Sequence, residues 1–247
     1  MNIAGKYFSL ATLIVFCLLS TSCVPSAVAT KKAPPEWTQT ALQNLAGASS
    51  QVLLVTNDEP SGFTATLYAL EKRGAVWRNA LPPVPALIGR KGFALPGEKK
   101  EGDLRTPSGV FALKRTFGYG PEIESRMPYR QAGEEDIWVD DAASPAYNRW
   151  VRKGETSAAS FEIMKRQDDR YRYGIVVEYN TDPIIPGAGS AIFIHVRGGE
   201  NVPTLGCVAL SESDMLKVLE WLNPTAEPLA ILGTRDSLLL PATGLSD

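Results

Sequence analysis

Eight short apolar runs, each four to seven residues long and separated by Gly- and Pro-containing segments, constrain this chain more than any other feature. They cover 51–56, 64–70, 109–114, 136–139, 174–179, 191–196, 207–210 and 229–232. Runs so short, rich in Val, Ile and aromatic residues, read as strands rather than helices. Pro60-Ser61-Gly62 supplies the turn of a hairpin between the first two. The chain is therefore expected to be mostly β (α+β minor), a sandwich or barrel. One good helix is expected after 207–210. Ser211 with Asp214 resembles a capping box, Met215, Leu216, Leu219 and Leu222 give an apolar face, and Pro224 stops the run. One or two helical turns are expected over 37–45. The segment 118–159 is polar, aromatic and loop-like, and loops of that length are usually functional.

The ends divide from this body. Lys6, an apolar run over 8–19 and Ala27-Val28-Ala29 give the order of an export signal over 1–29, and the run is too short to span a membrane. Leu18-Leu19-Ser20-Thr21-Ser22-Cys23 also resembles a lipoprotein box, with Ser20 where leucine is usual, so lipidation and membrane attachment at Cys23 is the competing reading. Residues 30–49 read as a linker and short helix, 50–235 as the main domain, and 236–247 as a tail. The expected location is the periplasm or cell envelope. Net charge is −2, which gives no basic groove for nucleic acid. No phosphate loop, dinucleotide fingerprint or metal-ligand spacing is present, so no cofactor and no metal are expected. The oligomeric state is not legible.

Export gives the cysteine count its meaning. Past the signal region the chain has one cysteine, Cys207, and the whole sequence has one histidine, His195. Such a pair cannot make a disulfide framework or a His/Cys zinc cage. It can make one nucleophile and its base. His195 ends a strand and Cys207 begins the next. The loop between them holds three glycines and a proline and can fold back to bring the side chains together. A thiol needs deprotonation before it attacks, and a nearby imidazole can take the proton. Gly206 allows a close backbone approach, and the N–H groups of Gly206 and Cys207 are candidates for an oxyanion site. The alternative is a buried, inert thiol and a satisfied core histidine. No carboxylate is assignable as the orienter of the imidazole, which leaves a backbone carbonyl.

At Ile192-Phe-Ile-His195 with Thr204-Leu-Gly-Cys207-Val208, and at Gly102-Asp-Leu-Arg-Thr-Pro-Ser-Gly-Val-Phe111, the sequence resembles the L,D-transpeptidase catalytic domain (YkuD) family. The likeness covers 50–233. It implies a mostly β fold with the cysteine at the end of a cleft, Cys207 as nucleophile and His195 as base. It also implies a peptidoglycan stem peptide as substrate, cut on the carboxyl side of its diamino acid, with transfer to an amine or to water. A non-catalytic peptidoglycan-binding protein and a redox-sensing thiol are the rival readings. The family's second histidine is replaced by Leu205 and its arginine after the cysteine by Ala209. Arg197 is the candidate to restore the lost charge, balanced by its reading as a solvated loop arginine. Thr204, Thr106 and Tyr173 are further candidates for substrate binding, with Tyr171 and Tyr179 as groove or core residues. Arg90-Lys91-Gly92 reads as a solvated turn, and Asp140-Asp141 and Asp168-Asp169 as solvated loop charges.

Overall fold

The computed structural model describes Met1 and residues 33–239. The export signal, Cys17, Cys23, residues 30–32 of the linker and residues 240–247 of the tail lie outside the described residues. A helix α1 (Glu36–Leu45) precedes the strands β1 (Gln51–Asn57), β2 (Thr64–Arg73), β3 (Val76–Asn79), β4 (Val84–Leu87) and β5 (Gly109–Gly118). Then come β6 (Tyr129–Gln131), β7 (Asp136–Val139), β8 (Trp150–Arg152), β9 (Phe161–Ile163), β10 (Tyr173–Val177), β11 (Phe193–Val196) and β12 (Val208–Leu210). Helix α2 (Glu212–Trp221), a 3-10 turn (Pro224–Ala226), β13 (Leu229–Thr234) and α3 (Arg235–Leu239) complete the order.

The large sheet runs β1-β13-β5-β10-β11-β12-β4-β2, and β2 pairs back onto β1. Of the two architectures the sequence allows, the chain adopts the barrel. Closure removes the free edges that an open sheet would present. The interior holds Leu53, Val55, Leu67, Ile175, Ile194 and Val208 among others. β1 is buried along its whole length because both of its faces are covered. Its inner residues Leu53 and Val55 face the barrel core, while Val52 and Leu54 pack beneath Leu42 of α1. That double burial explains why 51–56 reads as a continuous apolar run rather than an alternation.

Helix α2 closes the barrel core. Ser211 Oγ accepts from Asp214 N at 3.2 Å and donates to the Asp214 carboxylate at 2.6 Å, which holds the first turn. Met215, Val218, Leu219 and Leu222 are fully buried, each worth about 1.5–3 kcal/mol in transfer from water. The expected face is corrected at one place: Leu216 is 38% exposed, and Val218, three residues after Met215, takes its place inside. A second correction concerns 118–159. Most of it is irregular, as expected, but it also contributes β6 and β8 beside the expected β7, and β7 and β8 join β9 in a separate three-stranded sheet ordered β8-β7-β9. Its Trp138, Trp150 and Met164 cover the outer face of β5, β10 and β11, against Phe117, Val176 and Phe193. The rings meet edge to face, Trp138 to Phe193 at 5.0 Å and Phe117 to Phe193 at 5.2 Å. A β-carbon at Gly174 would collide with the Phe117 ring, so glycine there lets the ring lie across β10.

Candidate active site

β11 and β12 run parallel, with Ile194 opposite Val208 and His195 opposite Ala209. The two-residue period of a strand then sorts the side chains. Ile194, Val208 and Leu210 enter the barrel, whereas Phe193, His195, Cys207 and Ala209 belong to the outer face. On that face a cleft of about 640 Å³ opens between the barrel wall and the small sheet. His195, Cys207 and Ala209 line it, with Glu162, Arg166 and Tyr171 on the small-sheet side. Arg90, Lys99 and Glu101 also line it.

The loop 197–206 reaches Cys207 through a set of local bonds. Thr204 N donates to Ile88 O at 3.0 Å and Arg90 N donates to Thr204 O at 2.9 Å, which ties the loop beside β4. Gly89, between these bonds, lets the 104–106 segment lie close on its other side, since a β-carbon there would sit 2.6 Å from the Leu104 carbonyl oxygen. Thr204 Oγ1 donates to Cys207 O at 2.6 Å and accepts from Gly206 N at 3.1 Å. Thr106 Oγ1 accepts from Gly89 N at 2.9 Å and also approaches Cys207 O at 3.4 Å. Two threonine hydroxyls thus grip the carbonyl of the cysteine from behind. The Gly206 N–H is spent on Thr204, which corrects its assignment as an oxyanion donor.

The thiol and the imidazole share the cleft but no hydrogen bond. Cys207 Sγ donates to Ala191 O at 3.2 Å and accepts from Phe193 N at 3.4 Å. Burial pushes the thiol up to about 12, against the Phe193 N–H, which favours the thiolate; Glu162 raises it further, and Lys99 and Arg166 lower it. His195 Nδ1 lies 2.8 Å from Val196 O, so it carries the proton and Nε2 is left as acceptor. A backbone carbonyl is therefore the imidazole's orienter. Burial pulls the imidazole down to about 4; the Val196 bond opposes this, and Arg170 and Arg166 add to it. The Tyr171 ring packs against His195 at 5.2 Å. Both groups are therefore neutral.

Further assignments change. Tyr173 lies on the inner-facing register of β10 and packs half-buried against the barrel core, so it does not line the cleft. Thr106 is fully buried and supports Cys207 from outside the cleft. Arg197 is absent from the lining and lies 3.7 Å from Glu200. Arg90, read as part of a solvated turn, is exposed within the cleft and has no ion-pair partner among the described residues. Asp140 also lines the cleft rather than solvent alone. Asp168 accepts from Arg166 Nε and Nη2 at 2.9 and 2.8 Å and lies 3.1 Å from Arg170, and these cations hold its carboxyl down at about 2. Leu205, at the position of the family's second histidine, is 62% exposed on the rim.

Sequence reasoning missed the group Glu162, Arg166 and Arg170. Glu162 Oε2 accepts from Arg166 Nη1 at 3.2 Å and from Tyr171 OH at 3.4 Å. Burial raises the Glu162 carboxyl, opposed by Arg166. The dense charges over 165–170 were the available signal, but nothing in the sequence places them against the His195 strand.

The family model of the L,D-transpeptidase catalytic domain (YkuD) matches residues 61–233, and the chain belongs to that family. The comparison with curated proteins gives no match. A solved structure, the helical cell shape determining protein Pgp2 from Campylobacter jejuni, is similar with a TM-score of 0.39 and 17% identity over 81% of this chain. The chain spans 55% of the length of that protein's chain.

Proposed function

We propose that this protein is an exported cysteine acyltransferase acting on peptidoglycan stem peptides, with Cys207 as nucleophile and His195 as base. The observation that supports it most is the shared outer face: the described thiol and the single histidine line one cleft within a matched L,D-transpeptidase domain. With substrate bound, the Cys207 Sγ–H proton passes to His195 Nε2. The thiolate adds to the carbonyl carbon on the carboxyl side of the diamino acid, and the Cys207 N–H faces the developing oxyanion. Collapse breaks the C–N bond. The imidazolium returns its proton to the leaving amine, and a thioester remains on Cys207. An incoming amine gives up a proton to His195, attacks the thioester and releases the thiolate, which is reprotonated.

With the thiol pushed up to about 12 and the imidazole pulled down to about 4, both groups are neutral, so in this mechanism substrate contacts have to favour the thiolate–imidazolium pair. Action on peptidoglycan requires export. We assign that to residues 1–29, with attachment through Cys23 as the lipidated form of the same proposal.

The test is incubation of tetrapeptide muropeptides with wild type and Cys207→Ala, read by mass spectrometry. Cross-linked dimers with release of the terminal D-alanine, from wild type alone, are the expected result. Shortened monomers alone would replace the transferase with a hydrolase. No product from either protein would remove the catalytic reading.

A further inference from the structure

Two non-glycine residues with left-handed backbones meet beside the thiol. Ala191 has φ 52° and Asn148 has φ 54°. Alanine has no side-chain hydrogen bond to favour that region, so its surroundings must impose it. Asn148 is placed to do so. Its Oδ1 accepts from Ala191 N at 3.1 Å and from Trp138 Nε1 at 2.8 Å. Its Nδ2 donates to Tyr179 O at 3.1 Å and to Asn180 O at 2.6 Å. A carboxamide can accept two bonds and donate two, and this one, 3% exposed, uses all four. A side chain so fully engaged has one orientation, and it fixes the Ala191 peptide.

The next peptide, across the φ and ψ of Ala191, faces the sulfur. Its carbonyl accepts the Cys207 thiol at 3.2 Å, and two residues on the Phe193 N–H reaches Sγ at 3.4 Å. The same stretch of chain offers an acceptor to the thiol and a donor to the thiolate. We propose that Asn148 is a positioning residue of the nucleophile, acting through the left-handed Ala191 peptide to hold the Cys207 thiol in its resting place. This rests on Cys207 being the nucleophile. When the proton moves to His195, sulfur gives up the Ala191 carbonyl and keeps the Phe193 N–H. Asn148 stands between β7 and β8, so the small sheet aims the thiol as well as covering it.

A hydrogen bond to the neutral form disfavours ionisation, which gives the test its direction. The other groups that bear on Cys207 are Glu162 and Arg166 from the small-sheet side, Tyr171 before β10, Lys99, and His195 on β11. None is altered by Asn148→Gly, and glycine accepts the φ of residue 148 without strain. In the full-length protein, iodoacetamide modification of Cys207 is followed from pH 6 to 10 by the mass of its peptide. The expected result is modification about 5–10-fold faster near neutrality, with the profile displaced to lower pH. On muropeptide, kcat falls about 10-fold or more and KM holds within about 2-fold.

Trp138→Phe deletes the other N–H donated to the same amide oxygen and serves as the matched control. It is expected to lose comparable thermal stability and keep the wild-type modification profile. Equal displacement in both variants, or a wild-type profile in Asn148→Gly, overturns the proposal. Should Asn148→Gly not fold, Asn148→Ser takes its place, keeping a side chain but losing the carboxamide bond to Ala191 N. A displaced profile there supports the proposal and an unchanged one overturns it. Modification needs no peptide, so inactivity of the wild type on muropeptide sinks the transferase reading separately.

Discussion

The two faces of the β10–β11–β12 wall are made from the same strands and do opposite work. Inward, Ile175, Ile194, Val208 and Leu210 are fully buried among apolar neighbours such as Leu53, Val55 and Met215. Outward, one residue away along each strand, His195 and Cys207 are almost as buried but sit among Glu162, Arg166 and Arg170. Burial alone therefore does not separate core from site. What separates them is which partner covers the face: α2 brings methyl groups, and the small sheet brings charges and amides.

The largest expected effects break the comparison at adjacent residues. Cys207→Ala should abolish turnover while shifting stability by about 1 kcal/mol or less, because it removes one sulfur from a cleft wall. Ile194→Ala, on the opposite face, should cost about 2–5 kcal/mol by opening a cavity in the barrel. Thermal unfolding beside muropeptide turnover reads both. If Cys207→Ala loses as much stability as Ile194→Ala, the outer face is core and the thiol is structural.

Acid separates the faces next. The unfolded chain takes up a proton on its histidine below about pH 6.5, and folded His195 resists it until about 4. Between those values the unfolded state binds more protons, so stability falls as pH drops through the window, by up to about 3 kcal/mol. His195→Gln should flatten that acid limb in melts at pH 7 and pH 4.5, and Val208→Ala should lower both ends equally. At the alkaline end the sign reverses. A folded thiol near 12 against an unfolded one near 9 loses stability as pH rises between them, and Cys207→Ser should remove that loss.

The inner face was largely legible and the outer face was not, for a physical reason. Strand cores announce themselves through apolar runs, and the runs at 51–56, 109–114 and 229–232 all became barrel strands. The Ser211–Asp214 cap, worth about 1 kcal/mol on replacement of the serine by alanine, stood where its spacing placed it. The strands β3, β4, β6, β8 and β9 escaped because each is only three or four residues long and contains a polar, charged or proline residue, such as Arg78 in β3, Pro85 in β4 and Glu162 in β9. His195 and Cys207 were visible as a pair because each has no competitor. Glu162, Asn148 and Ala191 were invisible: their roles come from contacts between segments far apart in sequence, and no local period encodes them. Arg197 misled for the opposite reason. It is two residues from His195, which keeps it on the same face only while the strand lasts, and β11 ends at Val196.

The smallest expected effect tests the cations. The cleft has to bind a peptide that carries carboxylates, if the proposed substrate is right. Arg197 lies 3.7 Å from Glu200 outside the lining, whereas Arg90 is exposed within it and has no ion-pair partner among the described residues. An exposed ion pair contributes up to about 1 kcal/mol, which is about 5-fold in KM. Arg90→Ala should therefore raise KM for tetrapeptide muropeptide by about that factor, less so in high salt, with kcat and thermal stability close to wild type. Arg197→Ala should leave KM unchanged. The reverse pattern would mean that the loop 197–206 closes over substrate and carries Arg197 into the cleft. Unchanged KM in both would assign the carboxylate to Arg170, which lines the cleft beside Gly198 and already pairs through Nε with Asp168 at 3.1 Å.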